Sequence, residues 1–303
     1  MHGKGFGGGK VILVGEHAVV HGKPAIAAGV HRGVTATASR AERDLLRIAP
    51  WGVAVAPDTD GDDPLARAFA AVLSGYHPRP SLRLDAEVSL PAGAGLGCSA
   101  ALGVAILDAV DHALDVERSR VTLAELAMAW EREFHGTPSG IDNTTAALGG
   151  LLRFEHGVRT RALSARRLLH LVVADSGHAS ETKQMVARVR AGRDADPDTF
   201  SRTLRDMGEI VNNAESFIRL GDVASLGIAL DENHDILARL GLSTPRIESM
   251  CGDARRAGAL GAKVTGAGGG GCIVALAEDA DHAVRVRRAL GPRAFVEEVG
   301  RAA

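Results

Sequence analysis

The sequence predicts an α+β fold organised as two packed subdomains, and three observations predict it. Its 303 residues exceed what one simple core holds comfortably. Runs with an apolar period of two and runs with a helical period follow one another without the strict strand–helix–strand alternation of a doubly wound sheet. Glycine, at 37 residues, gathers near 3–9, 93–97, 136–150 and 266–271. Each cluster adjoins an apolar run, which reads as a tight turn joining regular elements.

Taken in order, Lys10–Gly15 is a short β-branched run ending in glycine, which predicts a strand. Ala25–Ala38 alternates loosely and predicts another, and 40–57 two more around a turn. Asp58–Asp63 is an acidic surface loop. Pro64–Gly75 sets Leu65, Phe69 and Val72 on one helical face. Ser81–Leu90 alternates cleanly, with Leu82, Leu84, Ala86, Val88 and Leu90 on one side of a strand. Ser99–Leu114 is apolar almost all round, the pattern of a buried helix. Thr122 and Glu125 form a capping box for a helix running to about Phe134. A short helix over 143–148 precedes a strand over 149–155, and Leu168–Asp175 is a further strand. From Glu181 to about residue 240 the pattern is mostly helical, followed by a helix over Pro245–Ala257. Lys263–Thr265 and Cys272–Leu276 are strands flanking a glycine-rich loop, and a helix over Asp279–Leu290 leads to a last strand over Ala294–Val299. The pattern is interrupted near 157–167, which divides the chain into 1–164 and 165–303.

Composition excludes several classes. With 46% apolar and 24% charged residues the chain is ordinary for a globular protein. A formal charge of −2, from 35 basic and 37 acidic side chains, offers no polyanion-binding surface. Aromatic content of 3% argues against a base-stacking platform. Nucleic acid is therefore not an expected partner. Cys98, Cys251 and Cys272 lack metal-ligand spacing and read as reduced thiols of a cytoplasmic protein. The first residues lack the apolar core of a signal peptide. No run is long and apolar enough for a membrane helix, so no membrane is expected either.

The segment Pro91–Ala101 (Pro-Ala-Gly-Ala-Gly-Leu-Gly-Cys-Ser-Ala-Ala) is entered by a predicted strand and left by a buried helix. Alternating glycines allow the backbone to approach a ligand closely and to point N–H groups at it. The helix adds the positive end of its dipole. Together they form a site for an anion such as a polyphosphate. The segment is neither a Walker A loop, because no lysine follows Gly97, nor a dinucleotide fingerprint, because the third glycine is spaced differently.

Read with two further segments, this loop resembles the phosphate-binding motif of the GHMP kinases. Lys263–Cys272 (Lys-Val-Thr-Gly-Ala-Gly-Gly-Gly-Gly-Cys) is similar to the family's C-terminal glycine motif. Lys10–Gly22 and His135–Asn143 (His-Gly-Thr-Pro-Ser-Gly-Ile-Asp-Asn) resemble its mevalonate kinase branch in particular. Galactokinases carry Thr-Asp-Tyr where this chain has Ala18-Val19-Val20. The resemblance runs in order from residue 10 to 276. It implies a two-domain fold, an N-terminal domain like domain 2 of ribosomal protein S5 and a ferredoxin-like C-terminal domain, with the active site in the cleft between them. It also implies ATP and Mg²⁺ as cofactors, mevalonate as the small-molecule acceptor, phosphorylated at its 5-hydroxyl, and a homodimer as the assembly to consider. Another GHMP kinase acting on phosphomevalonate or a sugar, or a non-catalytic ligand-binding protein on this fold, are the alternatives.

By that resemblance Asp142 accepts the proton of the attacking hydroxyl and Lys10 supports it; read without it, Asp142 is an N-cap and Lys10 a solvated strand-end lysine. Ser99 and Glu131 match the Mg²⁺ ligands, with Glu133 the competing carboxylate and a plain N-cap the other reading of Ser99. Pro91, Gly93, Gly95, Leu96, Gly97, Cys98, Ser99, Ala100, Gly266 and Gly268 match the nucleotide-binding positions. Glu16, His17 and Thr182, with Ser180 nearby, match the acceptor side. Arg153 reads as a surface strand arginine that is also able to pair with a substrate carboxylate. Cys98 stands where many members have serine, and a thiol in an electropositive loop is expected to have a lowered pKa and to be open to alkylation.

Overall fold

A computed structural model of the chain describes residues 1–300 apart from Ala92, Gly136, Thr137, His156 and Arg159. In chain order its strands and helices are β1 (His2–Val14), β2 (Ala25–Arg40), β3 (Leu45–Ile48), β4 (Val53–Val55), α1 (Pro64–Leu73), β5 (Leu82–Val88), α2 (Cys98–Ala113), α3 (Arg120–His135), α4 (Ile141–Leu148), β6 (Leu151–Phe154), β7 (Arg161–Ala162), β8 (Leu169–Asp175), α5 (Thr182–Ala195), α6 (Pro197–Leu220), α7 (Val223–Arg239), α8 (Pro245–Arg256), β9 (Gly261–Thr265), β10 (Cys272–Ala277), α9 (Ala280–Leu290) and β11 (Ala294–Val299). Among the described residues no helix is long and apolar enough to cross a membrane.

The chain divides into two compact units that interleave along the sequence. One holds Met1–Lys10, His31–Leu90 and Gly97–Gly149. The other holds Val11–Val30, Pro91–Leu96 and Gly150–Ala303. In the first unit the strands lie in the order β4-β3-β5-β2, with the latter part of β2 (Val34–Arg40) antiparallel to β5. α2 is its buried centre: Ala100, Ala101, Val104, Ala105, Ile106, Ala109 and Val110 are fully covered. Gly103 lies flat under the ring of Trp130 on α3, where a Cβ would collide with the indole.

The glycines at 3–9 are the clearest departure from expectation. They form no turn; they extend β1 back to His2. Gly3, Gly5 and Gly7 point at the backbone of α2, and a Cβ on any of them would strike the carbonyls of Ala109, Ala105 or Ala101. A smooth strand laid on an alanine-faced helix brings the two backbones closer than side chains permit. The start of α3 also differs. Ser119, not a Thr122–Glu125 box, caps it, its Oγ accepting the Thr122 N–H at 3.1 Å, so the helix begins one turn earlier.

In the second unit the early part of β2 (Ala25–Ala28) pairs with β6, and β6 with β7. A separate antiparallel sheet has the order β11-β8-β10-β9. Numbered along the chain these strands lie 4-1-3-2, the ferredoxin-like pattern. Val172, Val173, Ala174, Val264, Ile273 and Val274 fill its core. α8 and α9 pack on this sheet, and α7 lies against β9.

Candidate active site

In the first unit four predicted side chains come together. Lys10 is the last residue of that unit's share of β1, and its Nζ lies 3.2 Å from Asp142 Oδ1, with the lysine side chain 5% and the aspartate 34% exposed. Asp142 does not cap its helix: Gly140, at φ 86°, occupies the N-cap of α4 and leaves the carboxylate in the first turn, turned to Lys10. Gly97 adjoins this pair, since a Cβ on it would meet Lys10 Cγ at 3.1 Å and Asp142 Cβ at 3.9 Å. The close approach of the backbone at residue 97 to this pair thus depends on glycine.

Ser99 sits in the first turn of α2 behind Gly97, which itself takes the N-cap position at φ 72°. Its Oγ donates to Glu131 Oε1 at 2.7 Å rather than capping the helix. Glu131 is 2% exposed, and burial, followed by the nearby negative charge of Asp142, pushes its pKa up to about 7. Glu133 points elsewhere and pairs with Arg67 at 2.8 Å. A carboxylate whose charge is disfavoured by burial and by Asp142, set beside a hydroxyl, is a pair of hard oxygen donors that a cation such as Mg²⁺ fits. No cluster of three or more His, Cys, Asp or Glu side chains suited to a metal exists among the described residues.

Cys98 reverses its expectation. Burial pushes its thiol up to about 11, because desolvation of the thiolate outweighs the electropositive loop.

In the second unit Pro91–Leu96 meets the loop that follows β9. Gly93 and Gly95 have φ of 67° and 74°, Gly266 and Gly268 of 86° and 83°, conformations that glycine adopts without strain. A Cβ on Gly266 would lie 3.0 Å from the Gly95 carbonyl. Ser180 N–H donates to the Gly93 carbonyl at 2.9 Å and Ser180 Oγ to the Gly268 carbonyl at 2.6 Å. Leu96 and Ala100 are buried, so only their backbones are offered to a ligand. Gly136 and Thr137 of the 135–143 motif, and Ala92 of the phosphate loop, lie outside the described residues.

The residues expected on the acceptor side separate. His17 has φ 60° and its Nε2 donates to the Ala267 carbonyl at 2.9 Å. Glu16 is 1% exposed, with one oxygen receiving Lys263 Nζ and the other Asn233 Nδ2, at 3.0 Å. Thr182 opens α5 and is exposed. Arg153 pairs with Glu215 at 2.9 Å and with Asn212 at 3.0 Å. Lys263 and Asn233 were not singled out by sequence reasoning. The available signal was a lysine inside the apolar strand Gly261–Thr265.

Comparison with known proteins follows this geometry. Residues 64–150 match the family model of the GHMP kinases N-terminal domain, and 214–297 that of the GHMP kinases C-terminal region. The mevalonate kinase of Thermococcus gammatolerans is 36% identical, over 89% of this chain and 87% of its own length. That of Pyrococcus furiosus is 36% identical, over 96% and 94%. The crystal structure of L. major mevalonate kinase in complex with R-mevalonate superposes with a TM-score of 0.86 at 28% identity, covering 99% of this chain and 97% of that one. The fold is the mixed α+β, two-domain fold of those kinases, and the chain belongs to the GHMP kinase family.

Proposed function

We propose that this protein is a mevalonate kinase, transferring the γ-phosphoryl group of ATP to the 5-hydroxyl of mevalonate. Relatives named mevalonate kinase, alike over nearly the whole chain, support the substrate. The observation that carries the chemistry is the Lys10–Asp142 pair set against Gly97 of the phosphate loop.

Phosphoryl transfer asks for alignment and charge neutralisation more than for covalent help. In this reading the backbone N–H groups of Gly93–Ala100, with Pro91 and the Gly266–Gly268 turn beside them, hold the phosphates. Ser99 and Glu131 would hold Mg²⁺, which would supply charge neutralisation for the phosphates. The acceptor hydroxyl attacks the γ-phosphorus and its proton passes to Asp142; the bond from that phosphorus to the β,γ-bridging oxygen breaks, and ADP leaves with the electron pair. Lys10, nearly buried, supplies a fixed positive charge beside the developing alkoxide. His17 and Thr182 belong to the acceptor side, and Glu16 acts there through the turn it anchors. The cytoplasm as compartment and a homodimer as assembly form part of the same proposal.

A coupled ADP-release assay with ATP and Mg²⁺ tests it, comparing mevalonate with phosphomevalonate, galactose and homoserine. Turnover with mevalonate alone is expected. Turnover with one of the other alcohols instead would replace the substrate and keep the mechanism, and none with any acceptor would overturn the reading.

A further inference from the structure

Lys263 lies in the middle of β9, fully buried at 0% exposure. Burying an ammonium there is costly unless oxygens surround it. Its Nζ donates to Glu16 Oε1, to the Val264 carbonyl at 2.6 Å and to the Ile12 carbonyl at 3.4 Å. The other oxygen of Glu16 accepts from Asn233 Nδ2, and Asn233 Oδ1 accepts the Gly15 N–H at 3.1 Å. Thr265 Oγ1 adds a bond from the Ile12 N–H at 2.8 Å. Three segments distant in sequence are thereby joined: the end of β1 with its turn, the middle of α7, and β9.

Each end of the network leads directly to a residue of the proposed site. His17 follows Glu16 in the turn, and the loop Gly266–Gly271 follows β9. His17 holds φ 60°, ψ −39°, a conformation that a non-glycine residue keeps only when its surroundings impose it. Its ring closes the circuit on the Ala267 carbonyl. Stability alone does not account for such an arrangement, because apolar residues of the same volume at the two charged positions would hold strand and turn together at least as well.

We infer that the buried Glu16–Lys263–Asn233 network is a positioning device: it fixes the strained His17 turn against the glycine loop, so that the imidazole stands in place for the acceptor. Glu16, Lys263 and Asn233 touch no substrate; they act through His17. The inference rests on the kinase reading above.

The test is a steady-state comparison of wild type, the double variant Glu16→Leu/Lys263→Met and the single variant Asn233→Asp, with thermal midpoints recorded for each. The double variant removes both charges while keeping the volume. Asn233→Asp keeps the acceptor for Gly15 and sets a second carboxylate against Glu16, and serves alone if the double variant does not fold. The expected result is a KM for mevalonate at least tenfold higher in each folded variant, a larger rise than that in the KM for Mg·ATP. A network that only stabilised the fold would reduce the amount of active enzyme and leave that KM unmoved. An unchanged KM for mevalonate in a folded variant overturns the inference, whatever the thermal midpoint does. A wild-type enzyme that does not turn over mevalonate removes the underlying reading first, before any variant is compared.

Discussion

Asp142 and Lys10 would each be unremarkable alone, one a helix first-turn carboxylate and the other a strand lysine. Placed 3.2 Å apart at Gly97 they become, in the proposed reading, a proton acceptor and its neighbouring positive charge. Asp142→Asn keeps the shape and removes the proton acceptor, so kcat is expected to fall by about 10²- to 10⁴-fold with Mg·ATP binding retained; calorimetric titration of the nucleotide beside the ADP-release assay separates the two. Loss of nucleotide binding in step with turnover would make Asp142 a structural residue instead. Cys98 gives the opposite expectation to that of its loop. With its pKa near 11 rather than 9.0, the thiolate at neutral pH is about a hundredfold scarcer than for a free thiol. Iodoacetamide labelling followed by peptide mass spectrometry is expected to modify Cys98 at a correspondingly slow rate in the native protein and rapidly after denaturation.

At the level of elements, the β1–α2 contact decides how the first unit packs. Gly3, Gly5 and Gly7 of β1 face Ala109, Ala105 and Ala101, residues spaced by four along one side of α2. A methyl group on Gly5 would meet the Ala105 carbonyl and the Ala109 amide, neither of which has a rotamer to escape into. Gly5→Ala is therefore expected to destabilise the protein by about 2 kcal/mol or more, toward the upper end of overpacking costs, measured by urea denaturation. A shift below about 0.5 kcal/mol, the range of an ordinary surface change, would mean that strand and helix have slack to separate. Sequence reading took 3–9 for a turn because glycine clusters are indeed the usual mark of one. Nothing local distinguishes a glycine kept for positive φ from a glycine kept for close approach; the partner helix lies about a hundred residues away.

For the molecule as a whole, pH acts through groups whose protonation differs between folded and unfolded chain. His234 on α7 accepts the Val264 N–H at Nδ1. Burial pushes its pKa below 6.5, and Lys263 and Arg255 add to the effect against the opposing pull of Glu248. The folded protein thus holds this ring neutral in a range where the unfolded chain protonates it. The contribution of this group is full above about pH 6.5, declines below it, and is lost as pH falls through the lower pKa of the folded-state ring. Glu131, raised to about 7 in the folded protein, acts in the opposite sense across this range, so the test is a difference: from about pH 7.5 to 5.5 the thermal midpoint of wild type is expected to drop more than that of His234→Asn, which keeps a short polar side chain. An equal drop in the variant would assign the acid sensitivity to other groups.

The sequence by itself determined most elements and the chemistry of the ligand-facing segments. Apolar period and turn residues act within a few positions, so α2, β5, β8 and the strand–loop–strand at 261–277 were all legible in a local window. The same holds for the glycine motifs, whose backbone freedom is a property of the residue. The tertiary structure decided which side chains meet. Glu131 rather than Glu133 faces Ser99 because of how α3 is rotated on α2. Glu16 turns away from solvent toward a lysine 247 residues distant. Cys98 is a half-buried thiol whose pKa is raised rather than lowered. Burial, charge and orientation depend on segments remote in the chain, and it is desolvation in the assembled fold, not residue type, that sets what each of these groups does.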